Sequence, residues 1–194
     1  MGGPEALTQF INDKGIGSFR LDRYEYELQP QAVGLPPYTH QWIGTEAFTD
    51  AVNAVPVEAR QAALRIYLAD PRDRISAGDA ATFLSRLAKG ELLSEASTGR
   101  IMEILKNTVT GTDRLKAGAP KDSIVYHKTG AGPTVERVNS ASNDIGIIEL
   151  ADGRKLAVAV FLSGSELEAP QRDAIIAQAA RLAISSLAGD RAVP

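Results

Sequence analysis

Residues 126–132, YHKTGAG, set a lysine, a small hydroxyl residue and a glycine at the end of an apolar run, with Ala-Gly behind them. A cation, a hydroxyl and a stretch of bare backbone can form an anion site. The same residues also suit an ordinary strand end running into a turn. A tripeptide is short enough to recur by chance, so its surroundings must decide.

Downstream the pattern is clear. Runs 123–129, 143–150 and 155–163 read as strands, and Asp152-Gly153 between the last two is a hairpin signal. The segment KLAVAVFLS (155–163) is apolar almost throughout, as in a strand buried on both faces. A long helix over 170–188 follows, opened by Pro170 and closed by Gly189, with Ile176, Ala179, Ala180, Ala183 and Leu187 as its buried stripe.

Upstream the chain reads as helical. Residues 4–14 form a helix with Pro4 in the first turn, Leu7, Phe10 and Ile11 on one face and Gly15 as a left-handed stop. From Gly15 to about Thr45 the periodicity is lost, in a stretch rich in proline and in Tyr24, Tyr26, Tyr38, His40 and Trp42. A structureless loop of that length inside a compact domain is usually functional. Helices return at about 46–54 and 57–68, the second burying Ala59, Ala63, Ile66 and Tyr67. Two more follow, one capped by Ser76 and closed by Gly90, the other capped by Ser94 and burying Ile101, Ile104 and Leu105. Residues 110–122 are turn-rich and basic, with one helical turn around Arg114–Lys116. Helices first, then an antiparallel meander covered by a C-terminal helix, is an α+β arrangement. It divides into a helical part, 1–122, and a sheet part, 123–194.

Composition excludes several classes of function. A net charge of -3 over 194 residues, with no long basic run, argues against nucleic acid as a partner. There is no cysteine, which rules out disulfides and thiolate metal sites, and His40 and His127 have no metal-ligand spacing. No metal or cofactor is expected. No apolar run reaches the roughly 18 residues of a membrane span. The start, MGGPEALTQF, lacks the features of a secretory signal and reads as if the chain began inside a domain.

In their order, GGPEALTQFI, the loop RLDRYEYELQ (20–29), SRLAKGELLSEAS, the Lys-Thr-Gly strand with its Ala-Gly, NDIGII, AVAVFLSGS and the final helix resemble the second half of a class A β-lactamase or of a closely related serine hydrolase. The resemblance covers the chain apart from an insert at about 30–69. It implies a β-lactamase/transpeptidase-like fold and hydrolysis of a β-lactam, or of a related acyl-D-Ala-like substrate, through a serine acyl-enzyme. Lys128 and Thr129 would bind the substrate carboxylate, Gly130 would keep the strand open to ligand, and the Ala131 N–H would donate to the oxyanion. Glu25 would activate the deacylating water. Arg23 and Asp73 would pin the ends of an enlarged Ω-loop over about 20–74.

The chain departs from the family in three ways. Gln29 stands where an asparagine normally helps hold the water. The insert between Arg23 and Asp73 enlarges the loop, its aromatics either packing it onto the body or contacting ligand. Neither Ser-x-x-Lys nor Ser-x-Asn occurs, so the nucleophile is expected in a missing N-terminal half. The strand 155–163 would then lack a neighbour, and the chain is expected to need that half or a second copy of itself. Two other readings remain: a penicillin-binding carboxypeptidase or transpeptidase, and a catalytically dead ligand-binding fragment. The intact family is exported to the periplasm or secreted.

Overall fold

A computed structural model describes residues 2–42 and 45–189. Its contacts divide the chain into two compact units. The first contains residues 2–75 with Ala131–Ala141 and Ser163–Leu167; the second contains Ser76–Gly130, Ser142–Leu162 and residues 168–189.

In the first unit, α1 (Gly3–Asp13) has Pro4 in its first turn and buries Ile11, and Gly15 follows at φ 78°. The sequence predicts no regular structure from Gly15 to Thr45, yet a helix forms there, α2 (Glu25–Gln31). Its first turn is closed by its own carboxylate, since the Tyr24 N–H donates to Glu27 Oε2 at 2.8 Å. Pro30 lies inside this helix and has no N–H for the Tyr26 carbonyl one turn back. The Tyr38 N–H takes that place at 2.7 Å, so the proline that reads as a breaker is accommodated by a distant donor.

A 3-10 turn (His40–Trp42), α3 (Thr45–Ala54) and α4 (Val57–Ala69) complete the insert. Tyr38, Trp42 and Phe48 pack on one another with ring centroids 5.6–6.0 Å apart. The Tyr38 hydroxyl donates to the Trp42 carbonyl, and His40 is exposed. The buried stripe of α4 differs from expectation. Leu64 is its buried residue, with Tyr67 and Leu68 half-buried beside it, whereas Ile66 is 72% exposed and Ala59 is exposed. Leu64 meets Val33 and Val135 in a small core, which turns the helix so that Ile66 points to solvent.

In the second unit, α5 (Ala77–Ala88) is capped by Ser76 Oγ, which accepts the Asp79 N–H at 3.0 Å. The helix α6 (Glu95–Lys106) is capped by Ser94 in the same way. Ile101 and Leu105 lie one turn apart on α6 and are half-buried, while Ile104, rotated away from them, is 62% exposed rather than buried. A short helix, α7 (Leu115–Gly118), packs against α8 (Ala169–Gly189). Gly118 makes this approach possible, because a Cβ there would overlap the Ala177 carbonyl oxygen and stand 2.6 Å from Ala180 Cβ.

The sheet is antiparallel: β1 (Ile124–Ala131), β3 (Val138–Glu149) and β2 (Thr134–Val135) in that order, with β4 (Lys155–Ser165) also paired to β3. Together with the helices it makes the expected α+β fold. Leu115, Val125, Ile148, Val158, Ile176 and Ala180 form the core of the second unit. β3 starts five residues before the run predicted at 143–150. Its early part, VNSAS, reads as a loop because it is polar, but Asn139, Ser140 and Ser142 are all buried. Arg172 of α8 supplies one of the partners that make this tolerable, donating from Nε to Ser142 Oγ at 2.8 Å.

Candidate functional site

The first unit carries Glu25 at the start of α2, exposed, with Gln29 one turn further on. Gln29 Nε2 donates to Glu25 Oε1 at 2.6 Å, the i, i+4 contact that helix geometry allows. Both residues line a groove of about 530 Å³ walled by Tyr24, Tyr26, Tyr38 and Phe48. Glu25 also lines a second, larger groove of about 640 Å³ along the face of α1, which includes Leu7, Phe10 and Leu28.

The segment carrying Glu25 is tied at both ends. Asp73 Oδ1 accepts the backbone N–H groups of Asp22 (2.7 Å) and Arg23 (3.0 Å), and its Oδ2 accepts Arg23 Nε at 2.6 Å. The Asp73 N–H returns a bond to Asp22 Oδ2 at 3.1 Å. Arg23 reaches further, to Gln31 Oε1 at 2.7 Å and Asp70 Oδ2 at 3.3 Å. The hydrogen-bonded Arg72 guanidinium, aided by its own backbone N–H and by Arg23, holds the Asp70 carboxyl well below the usual carboxylate range.

In the second unit, Lys128 is exposed on β1 and its Nζ donates to the Thr129 carbonyl at 2.6 Å. Thr129 Oγ1 shares a hydrogen bond of 2.8 Å with Thr110 Oγ1. A Cβ added at Gly130 would lie 3.5 Å from Asn143 Cβ, an ordinary contact, so packing does not require glycine there. Ala131, at the strand end, is exposed and belongs to the first unit, as do Glu25, Gln29, Arg23 and Asp73. Glu25 with Gln29, Arg23 with Asp73, and Lys128 with Thr129 are therefore in direct contact.

Three groups beside the Lys-Thr-Gly strand escaped the sequence reading. Arg114 Nη1 donates to the Gly130 and Asn143 carbonyls at 3.1 and 2.9 Å, and its Nε pairs with Asp173 at 2.7 Å. Thr110 holds Thr129 as described above. His127 and Asp144 form a fully buried pair. The available signals were a histidine and an aspartate inside the strands predicted at 123–129 and 143–150; nothing comparable marks Arg114 or Thr110. Among the described residues no group of three His, Cys, Asp or Glu could hold a metal ion, and no helix is long and apolar enough to cross a membrane.

Helices plus an antiparallel sheet, with a lysine-threonine-glycine strand end, fit a class A β-lactamase-like serine hydrolase fold. A β-lactamase from Chitinophaga pinensis DSM 2588 superposes with a TM-score of 0.71 at 26% identity, over 96% of this chain and 56% of that one. The last common ancestor of Gram-negative bacteria (GNCA4) class A β-lactamase gives 0.69 at 33% identity, over 96% and 56%. In sequence, the imipenem-hydrolyzing β-lactamase of Enterobacter cloacae is 29% identical over 187 residues, 96% of this chain and 51% of that protein. The extended-spectrum β-lactamase PER-1 of Pseudomonas aeruginosa is 40% identical over 104 residues, 54% of this chain and 34% of that protein. The model of the β-lactamase enzyme family matches residues 1–187, and the chain belongs to that family. It spans about half the length of the first of these curated relatives.

Proposed function

We propose that the complete protein hydrolyses β-lactams through a serine acyl-enzyme, and that this chain supplies the deacylating base and the substrate-binding strand. Lys128 and Thr129 bind the substrate carboxylate, and the Ala131 N–H donates to the carbonyl oxygen as it becomes an oxyanion. Glu25 takes a proton from water, whose oxygen attacks the ester carbonyl; the serine oxygen leaves and recovers a proton. Gln29 positions that water. In this reading the nucleophile is supplied from outside this chain, whose sequence contains no Ser-x-x-Lys. Residues 1–122 contribute to the helical domain and 123–194 to the sheet. By family likeness, the intact protein works in the periplasm or outside the cell.

The observation that carries the reading is the Glu25–Gln29 pair, an exposed carboxylate oriented by an amide within a groove. The test is intact-mass spectrometry of the full-length protein with a penicillin. The wild type is expected to form a short-lived penicilloyl adduct, and Glu25→Gln to accumulate it, with deacylation slowed by about 10²-fold or more. Absence of any adduct, or a Glu25→Gln variant that turns over like the wild type, would overturn the reading.

A further inference from the structure

His127 precedes Lys128 on β1 and faces Asp144 on β3, and both side chains are 0% exposed. His127 Nδ1 lies 2.9 and 3.0 Å from the two carboxyl oxygens, within hydrogen-bond reach of both. Nε2 is buried and has no partner. Asp144 Oδ2 also accepts the N–H of Leu115 at 3.2 Å, the first residue of α7. One carboxylate thus ties together β1, β3 and α7, next to the arginine that holds the Gly130 carbonyl. The fold makes room for the ring: a Cβ at Gly146 would stand 2.8 Å from His127 Cβ.

A neutral oxygen at position 144 would satisfy the Leu115 N–H, and an apolar residue at 127 would fill the ring's volume without burying an imidazole, so the contact between His127 and Asp144 needs another explanation. Successive side chains on a strand point to opposite faces, so locking His127 beneath β1 fixes the roll of the strand and with it the direction of Lys128.

We infer that His127 and Asp144 are positioning residues for Lys128, holding the strand in the orientation that carboxylate recognition needs. The inference rests on the proposed β-lactam reading. The test measures acylation of the full-length protein by a β-lactam bearing a free carboxylate and by its methyl ester. Wild type should prefer the acid. His127→Leu should lower kcat/KM for the acid by about tenfold or more, mainly through KM, because a misplaced binding group is costly. The ester should change far less. His127→Asn, whose amide can donate from near the Nδ1 position, should restore most of the preference.

Should His127→Leu fail to fold, H127L/D144N removes the orphaned carboxyl group while keeping an oxygen for the Leu115 N–H, and the same loss of preference is expected. Acid and ester falling together, no rescue by His127→Asn, a double variant that keeps the wild-type preference, or a wild type without preference would each overturn the inference. A wild type that neither compound acylates would instead overturn the β-lactam reading, and this inference with it.

Discussion

Asp73→Asn isolates what holds the segment that carries Glu25. Asparagine keeps one oxygen for the Asp22 and Arg23 N–H groups and tolerates the left-handed backbone at this position, φ 52°. The atom facing Arg23 Nε changes from a charged acceptor to a donor, in a pair whose side chains are only 7% and 8% exposed. A hydrogen bond to a charged group contributes about 1.5–3 kcal/mol. Arg23 keeps Asp70 and Gln31 as partners, which places the loss near the lower part of that range, about 2 kcal/mol. Such a loss raises the open population of the segment about 30-fold. Hydrogen exchange of α2 reads this directly, for example at the Leu28 N–H, which is bonded to the Tyr24 carbonyl at 3.0 Å. Asp152→Asn, which removes an exposed pair with Arg154, is the control and should cost under about 1 kcal/mol. If α2 exchanges no faster in Asp73→Asn than in this control, the clamp does not hold the segment.

Acid should loosen the same region. Asp70, held low by Arg72, and Asp22, held low by its hydrogen bond to Arg20, both have depressed carboxyl pKa values, so the stability they contribute is complete above the unfolded value near 3.9 and is lost as pH falls below it. The melting temperature should therefore be flat above about pH 5 and fall below about pH 4, with a shallower fall in Asp70→Asn. Gly118→Ala should cost about 1–3 kcal/mol in denaturant unfolding, because the added methyl meets the α8 backbone at Ala177. Gly130→Ala should cost under about 0.5 kcal/mol, and equal costs for the two would refute the packing argument.

The elements legible in the sequence are those whose causes are local. Ser76 and Ser94 cap the helices that follow them, and Gly15, Gly90 and Gly153 adopt the left-handed backbone that turns and helix ends require. What was not legible depends on distant partners. α2 survives Pro30 because Tyr38 supplies a donor, and early β3 accommodates Asn139 and Ser142 because they bond the Gly132 carbonyl and the distant Arg172. The solvent-facing Ile66 and Ile104 show the same limit, since periodicity marks an apolar stripe without saying how wide a face the neighbours will cover.

For the site, residue chemistry pointed to Lys128 and Thr129, and family likeness paired Arg23 with Asp73 across 50 residues. Arg114 was not legible, because nothing near it in sequence indicates that it will bond the carbonyls of residues 130 and 143. The glycines around β1 bear on whether YHKTGAG is an anion site or a plain strand end. Gly146 has no room for a side chain beside the Tyr126 carbonyl oxygen and His127, so packing alone accounts for it, whereas at Gly132 the short contact is with the rotatable Ser140 hydroxyl. Gly130 has room, and neither a clash nor a left-handed backbone calls for glycine there. Packing therefore gives no reason for glycine at that position. Approach of a ligand to the backbone beside Lys128, as the proposed function has it, would give one.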